Sequence, residues 1–264
     1  SQEFFPVSNK ELHRDRLGID PSCFIFGTVM RNQRRKLYPD LFKTFRQFLD
    51  VTKANNAYLY CHTSYPDIGW QIPELLQEYG LTNRVLFTYK CKNCGDLRAS
   101  FFDDVISHCY NCGTFKRELV GINNQLDRQE LAQIYNLFDV YVQYANSEGF
   151  GMPQLEAAQC GLPVVTVDYS AMQSVANNIG AIKIPPLSMY TECETGCERA
   201  IPNNDSLLVN MCELYSKPIE KLRQMGFATR QKTRENYNWD KTAKVWADYF
   251  DKTPVRDHRE TWLS

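Results

Sequence analysis

Two acids bracket a short glycine-containing stretch near the middle of the chain. Glu148 is followed by Gly149, Phe150 and Gly151, and Glu156 comes after seven intervening residues. Glycines let the backbone approach a ligand closely, and a carboxylate accepts hydrogen bonds from hydroxyl groups. The pattern therefore predicts a site for a polyhydroxylated ligand, and a tight turn between a strand and a helix is the alternative explanation.

The segments on either side of this stretch indicate what else the ligand carries. Residues 138–144 are apolar, β-branched or aromatic, which predicts a strand. Met152 and Pro153 begin a predicted helix that stops at Gly161. A helix N-terminus offers unpaired N–H groups and a positive dipole end to an anion. The glycine spacing is neither that of a dinucleotide fold nor that of a Walker loop. We therefore expect a ligand that is phosphorylated as well as hydroxylated.

A run of positive charges follows the first predicted strand, residues 24–29. In open α/β folds, ligands bind at the carboxyl ends of the strands, where this run would lie. Arginine can form two hydrogen bonds to diphosphate oxygens, while lysine acts as a point charge. We expect the run to bind a diphosphate, and a solvated charged loop is the alternative. Its basic residues are Arg31, Arg34, Arg35 and Lys36.

The stretch from Ser147 to Val165 closely resembles a segment of the group 1 (family 4) retaining nucleotide-sugar glycosyltransferases, in which two acids are seven residues apart. These enzymes have the GT-B fold, with two Rossmann-like domains. The resemblance implies that Glu148 binds hydroxyl groups of the donor sugar and that Glu156 binds the ribose. The remaining residues expected to line the donor site are Gly27, Gly149, Phe150, Gly151 and Met152.

The same family carries an arginine and, a few residues later, a lysine on the donor diphosphate. Arg31 and Lys36, with four residues between them, match that pattern, although Arg34 or Arg35 could replace one of them. The resemblance implies transfer of a hexose with retained anomeric configuration, with Glu148, Arg31 and Lys36 as catalytic residues. These cations would stabilise the departing nucleoside diphosphate, so no catalytic divalent metal is expected.

Ten cysteines are present, and four of them form two CxxCG units with fourteen residues between Cys94 and Cys109. Each unit can turn so that both thiolates face one tetrahedral ion, which predicts zinc; free thiols or disulfides are the alternatives. Four thiolates leave no open position for water, so we expect a structural site. The predicted ligands are Cys91, Cys94, Cys109 and Cys112. Residues 90–121 would form a zinc-ribbon-like insertion that the usual family members lack.

Alternating predicted strands and helices indicate a doubly wound, parallel, Rossmann-like α/β sheet. The resemblance covers residues 21–250 and implies one GT-B half, the C-terminal donor-binding domain, without its N-terminal acceptor-binding partner. Residues 1–20 are interpreted as a lead-in between domains and residues 251–264 as a polar tail. The final predicted helix, residues 238–250, is amphipathic, and we expect its aromatic stripe to lie mostly in the core.

Bulk properties narrow the possible functions. The net charge is −1 with a pI near 6.4, so a nucleic-acid partner is not expected. No apolar run is long enough to span a bilayer. The paired cysteine spacing favours a reducing compartment, the cytoplasm. Two alternatives to a transferase remain: a nucleotide-sugar epimerase, and a module whose zinc knuckles bind RNA or protein.

Candidates for contact with the nucleotide base are Tyr89, Ile122 and Asn123.

Overall fold

The computed structural model describes residues 3–254, which contain nine α-helices and eleven β-strands. The helices are α1 (Lys10–Arg16), α2 (Tyr38–Thr52), α3 (Ile72–Glu78), α4 (Arg128–Tyr135), α5 (Met152–Gln159), α6 (Ser170–Ile179), α7 (Asn204–Tyr215), α8 (Ile219–Asn236) and α9 (Trp239–Lys252). The strands are β1 (Phe24–Val29), β2 (Ala57–His62), β3 (Val85–Cys91), β4 (Leu97–Phe101), β5 (Ser107–His108), β6 (Phe115–Leu119), β7 (Val140–Gln143), β8 (Val164–Val167), β9 (Ile182–Ile184), β10 (Pro186–Thr191) and β11 (Glu198–Pro202).

The central sheet confirms the predicted fold class. Its parallel part runs β3-β2-β1-β7-β8-β9, and β4 and β6 pair antiparallel with β3. Helices cover both faces because successive strand residues point in opposite directions. On β1, Phe26 packs into one core cluster with Phe45 and Phe48 of α2. Its neighbour Ile25 packs into the other cluster, with Phe138.

Local interactions account for two of these helices. In α4, Asp127 accepts a hydrogen bond from the Glu130 N–H, and the Glu130 side chain accepts one from the Asp127 N–H, which is a capping box. In α2, the apolar stripe that includes Leu41 and Phe45 is fully buried. Helix α2 directly follows the basic run, and α4 precedes β7.

The predicted insertion is built onto the sheet. From Cys91, the C-terminal residue of β3, the chain forms β4, β5 and β6 and returns beside β3, where Tyr89 pairs with Leu119. The Val120 N–H then donates to the Thr88 carbonyl at 2.9 Å. This geometry places the four-cysteine module at the carboxyl end of β3, the edge where ligands bind in such folds. The domain boundaries stay a prediction.

Two features differ from expectation. The predicted core position of the last helix is wrong, because α9 has no buried residue and Trp239 is 83% exposed. The other exposed apolar side chains of α9 are Val245, Trp246, Tyr249 and Phe250. An antiparallel hairpin, β10–β11, was not predicted and stands between β9 and α7. Helix α1, within the predicted lead-in, packs on the domain, and residues 255–264 of the predicted tail lie outside the described residues.

No helix in residues 3–254 combines the length and the hydropathy needed to cross a membrane.

Candidate functional site

The loop that carries Glu148 runs from β7 to the start of α5. Gly151 is the N-cap of α5 with φ of 86°, a left-handed conformation that favours glycine. A Cβ at Gly149 would meet no atom of residues 3–254 within 4 Å, so that side of the loop is open. No side chain within the described chain caps α5. Pro153 has no N–H, and the Gln154 N–H donates to the Gly151 carbonyl at 3.1 Å. This open loop therefore offers an anion the Met152 N–H and the positive dipole end of α5.

The Glu148 carboxylate lies at the centre of a polar cluster. Its Oε1 accepts a hydrogen bond from Gln143 Nε2 at 2.8 Å and contacts the Lys36 ammonium. Its Oε2 accepts from Arg35 NH1 at 2.6 Å. Its backbone N–H donates to Ser170 Oγ at 2.9 Å. Both oxygens of the acid are therefore occupied by donors from one loop and one strand, and the side chain is 9% exposed.

Backbone pairing brings the basic run to Glu148. The Asn146 N–H donates to the Arg35 carbonyl at 3.0 Å, and the Leu37 N–H donates to the Tyr144 carbonyl at 3.2 Å. Lys36 pairs with Ala145 between them as an isolated antiparallel bridge. This short ladder links the loop after β1 to the loop after β7, which is why residues far apart in sequence share one site.

Lys36 is an unusual lysine because it is buried. Its side chain is 5% exposed. Burial, together with the neighbouring Arg35 charge, lowers the pKa of Lys36 to about 7, while contact with the Glu148 carboxylate acts in the opposite direction. The ammonium is therefore held with little water around it, where its attraction for an anion is strong.

Arg31 does not join this cluster. Its Nε and NH2 donate to the Asp67 carboxylate at 2.8 and 3.0 Å. These hydrogen bonds lower the pKa of Asp67 to about 2. The structure thus brings Lys36 and Arg35 onto Glu148 and leaves Arg31 paired on the neighbouring loop, so its diphosphate contact stays a prediction.

The second acid of the motif has a separate environment. Glu156 Oε2 accepts a hydrogen bond from the Tyr135 hydroxyl at 2.8 Å. Burial raises the pKa of Glu156, with the Tyr135 hydrogen bond opposing the shift. Its expected ribose contact also stays a prediction, although a half-buried carboxylate with one oxygen engaged can still accept hydroxyl groups through the other.

The other expected donor-site residues divide into two kinds. Phe150 and Met152 are 46% and 50% exposed at the glycine loop, so a ligand can reach them. Gly27 lies inside β1, where a Cβ would be 2.1 Å from Cγ of Phe138. Close packing against this ring accounts for glycine at that position.

A cavity of about 230 Å³ opens beside the basic run. Its wall includes Met30, Arg31, His62, Gly121 and Ile122, so it lies where the ends of β1 and β2 face the loop after β6. Burial lowers the pKa of His62 to about 4, which leaves the ring neutral at physiological pH. The cavity can therefore take a planar, uncharged group.

The three candidates for contact with the base have different positions. Ile122 lines the cavity. Tyr89 is buried, and its hydroxyl donates to the carbonyls of Phe101 and Asp103 at 3.0 and 2.9 Å. Asn123 lies in the adjoining turn and is not among the lining residues. Among these candidates, Ile122 is the one that the structure places at the cavity.

The four cysteines of the two CxxCG units converge. Their sulfur atoms all lie within 4.8 Å of one another, and the Cys91–Cys112 and Cys94–Cys109 sulfurs are 3.6 and 3.7 Å apart. Tetrahedral zinc with Zn–S bonds of about 2.3 Å separates its sulfurs by about 3.8 Å. Each unit turns at a glycine with positive φ, Gly95 or Gly113. The cluster therefore has the donor set and size of a zinc site.

Two basic residues of this module are paired with acids. Lys90 and Lys92 each form an ion pair with a glutamate, at 2.7 and 2.6 Å. Phe102 packs edge-on against neighbouring rings. Tyr110 and Phe115 remain 72% and 73% exposed, and the Arg117 guanidinium lies 5.2 Å from the centre of the Tyr110 ring. The two ion pairs reduce the positive charge that the module offers to RNA.

Sequence patterns predicted the remaining site residues only in part. Gln143 could have been noticed as a polar residue ending an apolar strand, and Arg35 was expected only as a substitute. The Gln154 amide is fully buried beneath the glycine loop and has no hydrogen-bond partner among residues 3–254. Arg199, whose NH1 donates to Ser147 Oγ at 2.6 Å, comes from the unpredicted hairpin. No local motif pointed to it.

Comparison with known proteins supports a glycosyltransferase. Residues 116–184 match the family model of glycosyl transferases group 1. A stretch of 124 residues is 27% identical to the UDP-N-acetylglucosamine–peptide N-acetylglucosaminyltransferase GtfA subunit of Streptococcus pneumoniae serotype 4. This alignment covers 44% of the chain and 22% of the relative.

Solved structures show the same architecture. Sucrose-phosphate synthase from Thermosynechococcus elongatus superposes with a TM-score of 0.65 at 20% identity, covering 96% of this chain and 51% of that one. The C-terminal domain of the group 1 glycosyl transferase LpcC from Francisella tularensis superposes with a TM-score of 0.56 at 15% identity, covering 90% of this chain and 97% of that domain. The fold is that of GT-B glycosyltransferases, and the chain spans about half the length of the first structure.

Proposed function

We propose that this chain is the donor-binding half of a retaining glycosyltransferase, which moves a hexose from a nucleoside-diphosphate sugar to an acceptor. The observation that carries the proposal is the cluster of Lys36 and Arg35 on Glu148, beside the N-terminus of α5. Glu148 and α5 both lie inside the segment that matches the group 1 family. One loop thus offers an acid for hydroxyl groups next to donors for phosphate.

The chemical demand of the reaction is stabilisation of the leaving group. The bond between the anomeric carbon and the diphosphate oxygen breaks, and the acceptor oxygen bonds to that carbon on the same face. Negative charge builds up on the nucleoside diphosphate while the sugar carbon becomes cationic. Lys36, Arg31 and the positive dipole end of α5, at Met152 and Pro153, would hold that diphosphate. Because protein cations serve this purpose, we propose a reaction without a catalytic divalent metal.

The rest of the donor would bind on either side of the diphosphate. Glu148 would orient the hexose, exchanging one of its intramolecular partners for sugar hydroxyls. Glu156 would accept hydrogen bonds from the ribose, and the base would enter the cavity next to Ile122. The cavity volume of about 230 Å³ is sufficient for a nucleobase. We leave the base and the sugar unassigned.

Ligand binding by designed variants tests this assignment. We expect a uridine or guanosine diphosphate hexose to raise the melting temperature of the wild-type chain, and Lys36→Ala and Glu156→Ala to weaken that binding at least about tenfold. Arg46→Ala is the matched control, because Arg46 forms an ion pair with Asp50 on the outer side of α2. Calorimetric titration of each variant measures the affinities.

Equal affinity of the wild type and both site variants for the nucleotide sugar would refute the assignment. An epimerase of the same architecture shares the phosphate site, so the reaction itself must also be followed. Appearance of an altered sugar without any acceptor would identify the epimerase.

We also propose that the four cysteines hold a structural zinc ion. The sulfur separations support this, and thiolates that bind zinc require the reducing conditions of a compartment such as the cytoplasm. The measurement is one zinc per chain by elemental analysis. A chain that folds fully with no bound metal would contradict the proposal.

We propose that the acceptor binds to an N-terminal half, which pairs with this donor-binding half. The exposed aromatic residues of α9 support it, because such a face is seldom left in water. The near-complete coverage of the LpcC C-terminal domain supports it as well. The isolated chain should therefore bind donor yet transfer the sugar poorly.

A further inference from the structure

The β10–β11 hairpin lies outside the segment that matches the glycosyltransferase family, yet it contacts the candidate site. The Ala200 N–H of β11 donates to the Asn146 carbonyl at 3.1 Å. The Asn146 amide donates to the Tyr190 hydroxyl of β10 at 3.0 Å. The Tyr169 hydroxyl donates to the Glu198 carbonyl at 3.0 Å. Both strands of the hairpin are therefore attached to the loops that border Glu148.

Arg199 makes the closest approach of this hairpin to the site. Its NH1 donates to Ser147 Oγ at 2.6 Å, and its NH2 donates to Glu192 Oε2 at 2.7 Å across the hairpin. Its Nε is buried and has no partner in the described part of the chain. The Arg199 side chain is 20% exposed, so this contact is shielded from water.

Ser147 is held from two directions by guanidinium groups. Arg35 NH1 donates to the Ser147 carbonyl at 3.2 Å, while Arg199 holds its hydroxyl. Burial, and after it the Arg199 charge, lowers the pKa of Arg35. The next residue, Glu148, is anchored on its other side by Ser170. The backbone of the acid is thus fixed between Arg199 and the start of α6.

We propose that Arg199 is a positioning residue for the sugar end of the donor site. It holds Ser147 and, through it, the backbone of Glu148, so that the carboxylate meets the hexose hydroxyls in one orientation. This inference rests on the proposed function. The Arg199 side chain takes no part in the backbone ladder that brings Lys36 to Glu148, so the diphosphate contact does not depend on that side chain. Arg199 therefore tunes recognition of the sugar and leaves recognition of the nucleotide unchanged.

The test measures separately how the sugar and the nucleoside diphosphate contribute to binding. The probes are the diphosphates of uridine, guanosine and adenosine and their glucose esters, each titrated calorimetrically into the wild type, Arg199→Ala and Ser147→Ala. For the nucleotide that the wild type binds best, we expect both variants to bind the free diphosphate within about twofold of wild type and the glucose ester about five- to tenfold more weakly. Ser147→Ala removes the same hydrogen bond with little risk to folding.

Two further variants exclude a general structural effect. Arg199→Lys keeps a donor near Ser147 and should recover part of the affinity for the glucose ester. Adding Arg199→Ala to Glu148→Gln should cost little more than Glu148→Gln alone, because the two residues act through one contact. A merely structural role would weaken the free diphosphate and the glucose ester by the same factor.

The outcomes distinguish this inference from the function on which it rests. Equal losses for both ligands, or no loss for either, in Arg199→Ala and Ser147→Ala overturn the role of Arg199. If Lys36→Ala still abolishes diphosphate binding in that case, the proposed function stands. If no nucleotide in the panel binds the wild type, both proposals fail together.

Discussion

The four-cysteine module and the Glu148 cluster both gather polar side chains into a small volume. The Glu148 cluster pairs charges of opposite sign, whereas the four-cysteine module brings together four like groups. Around Glu148, the ammonium of Lys36 and the guanidinium of Arg35 neutralise the carboxylate. Around the cysteines, four sulfurs converge within 4.8 Å of one another. Converging thiolates repel one another unless a metal ion lies between them. We therefore expect the module to depend on a metal ion and the Glu148 cluster to be stable before its ligand arrives.

Metal removal should produce the largest effect and would test this contrast most directly. We expect a zinc chelator to lower the melting temperature by more than about 5 °C, because structural zinc contributes its binding free energy to folding. Cys91→Ser should reproduce the loss. Cys193→Ser is the matched control, since this cysteine lies on the hairpin tip outside the cluster. Equal melting temperatures with and without the chelator would show that the module is stable without metal.

Breaking the Glu148 cluster should have a smaller effect on stability. Lys36→Ala removes one of three donors to a carboxylate that is 9% exposed, so we expect a loss of about 1–3 kcal/mol in the free energy of unfolding. Arg46→Ala is the comparison, because Arg46 and Asp50 are 34% and 60% exposed in their ion pair, and this change should alter stability by less than about 1 kcal/mol. Urea denaturation measures both. Equal losses in the free energy of unfolding would mean that the buried ion pair contributes no more to stability than the exposed one.

The pH dependence of donor binding tests whether Lys36 acts as a cation in the cluster. Only the protonated lysine attracts a diphosphate, and its pKa is lowered to about 7. Affinity for a nucleotide sugar should therefore fall as the pH rises above about 7, by up to about tenfold. Lys36→Arg keeps its charge throughout this range and should give a flat profile. A wild-type profile as flat as that of Lys36→Arg would exclude proton loss from Lys36.

Local patterns predicted the cysteine cluster completely and the Glu148 cluster in part. Each CxxCG unit fixes its own sulfur pair through a glycine turn, so spacing alone was sufficient. The choice between Arg31 and Arg35 was different, because it depends on where Asp67 lies after β2 and how the basic run pairs with residues 144–146. Such pairings form between distant segments and leave no local signal.

Dependence on tertiary contacts also explains the wrong prediction for α9 and the missed β10–β11 hairpin. An amphipathic stripe is equally suited to a core and to an interface, so the pattern of α9 could not tell the two apart. The hairpin contains exposed residues on both strands, and its attachment to Asn146 is a tertiary contact. The parallel α/β sheet was predicted from alternating strands and helices, because their hydrophobic patterns are local.

The smallest predicted effect is a coupling between the four-cysteine module and the cavity beside the basic run. Thr88, three residues before Cys91, accepts the Val120 N–H at 2.9 Å through its carbonyl, and its hydroxyl lies 2.9 Å from His62 Nδ1. His62 and Val120 both line the cavity beside the basic run. A metal ion that orders β3 and β6 should therefore also order two walls of that cavity. We expect chelation to weaken nucleotide binding about threefold.

Two variants at position 88 locate the route of this coupling. Thr88→Val loses the hydroxyl and should reproduce part of the loss of nucleotide affinity while zinc stays bound. Thr88→Ser keeps the hydroxyl and should match the wild type. If chelation and Thr88→Val both leave the affinity unchanged, the cysteine module and the donor cavity are independent. The module would then serve only to close the edge of the sheet beyond β3.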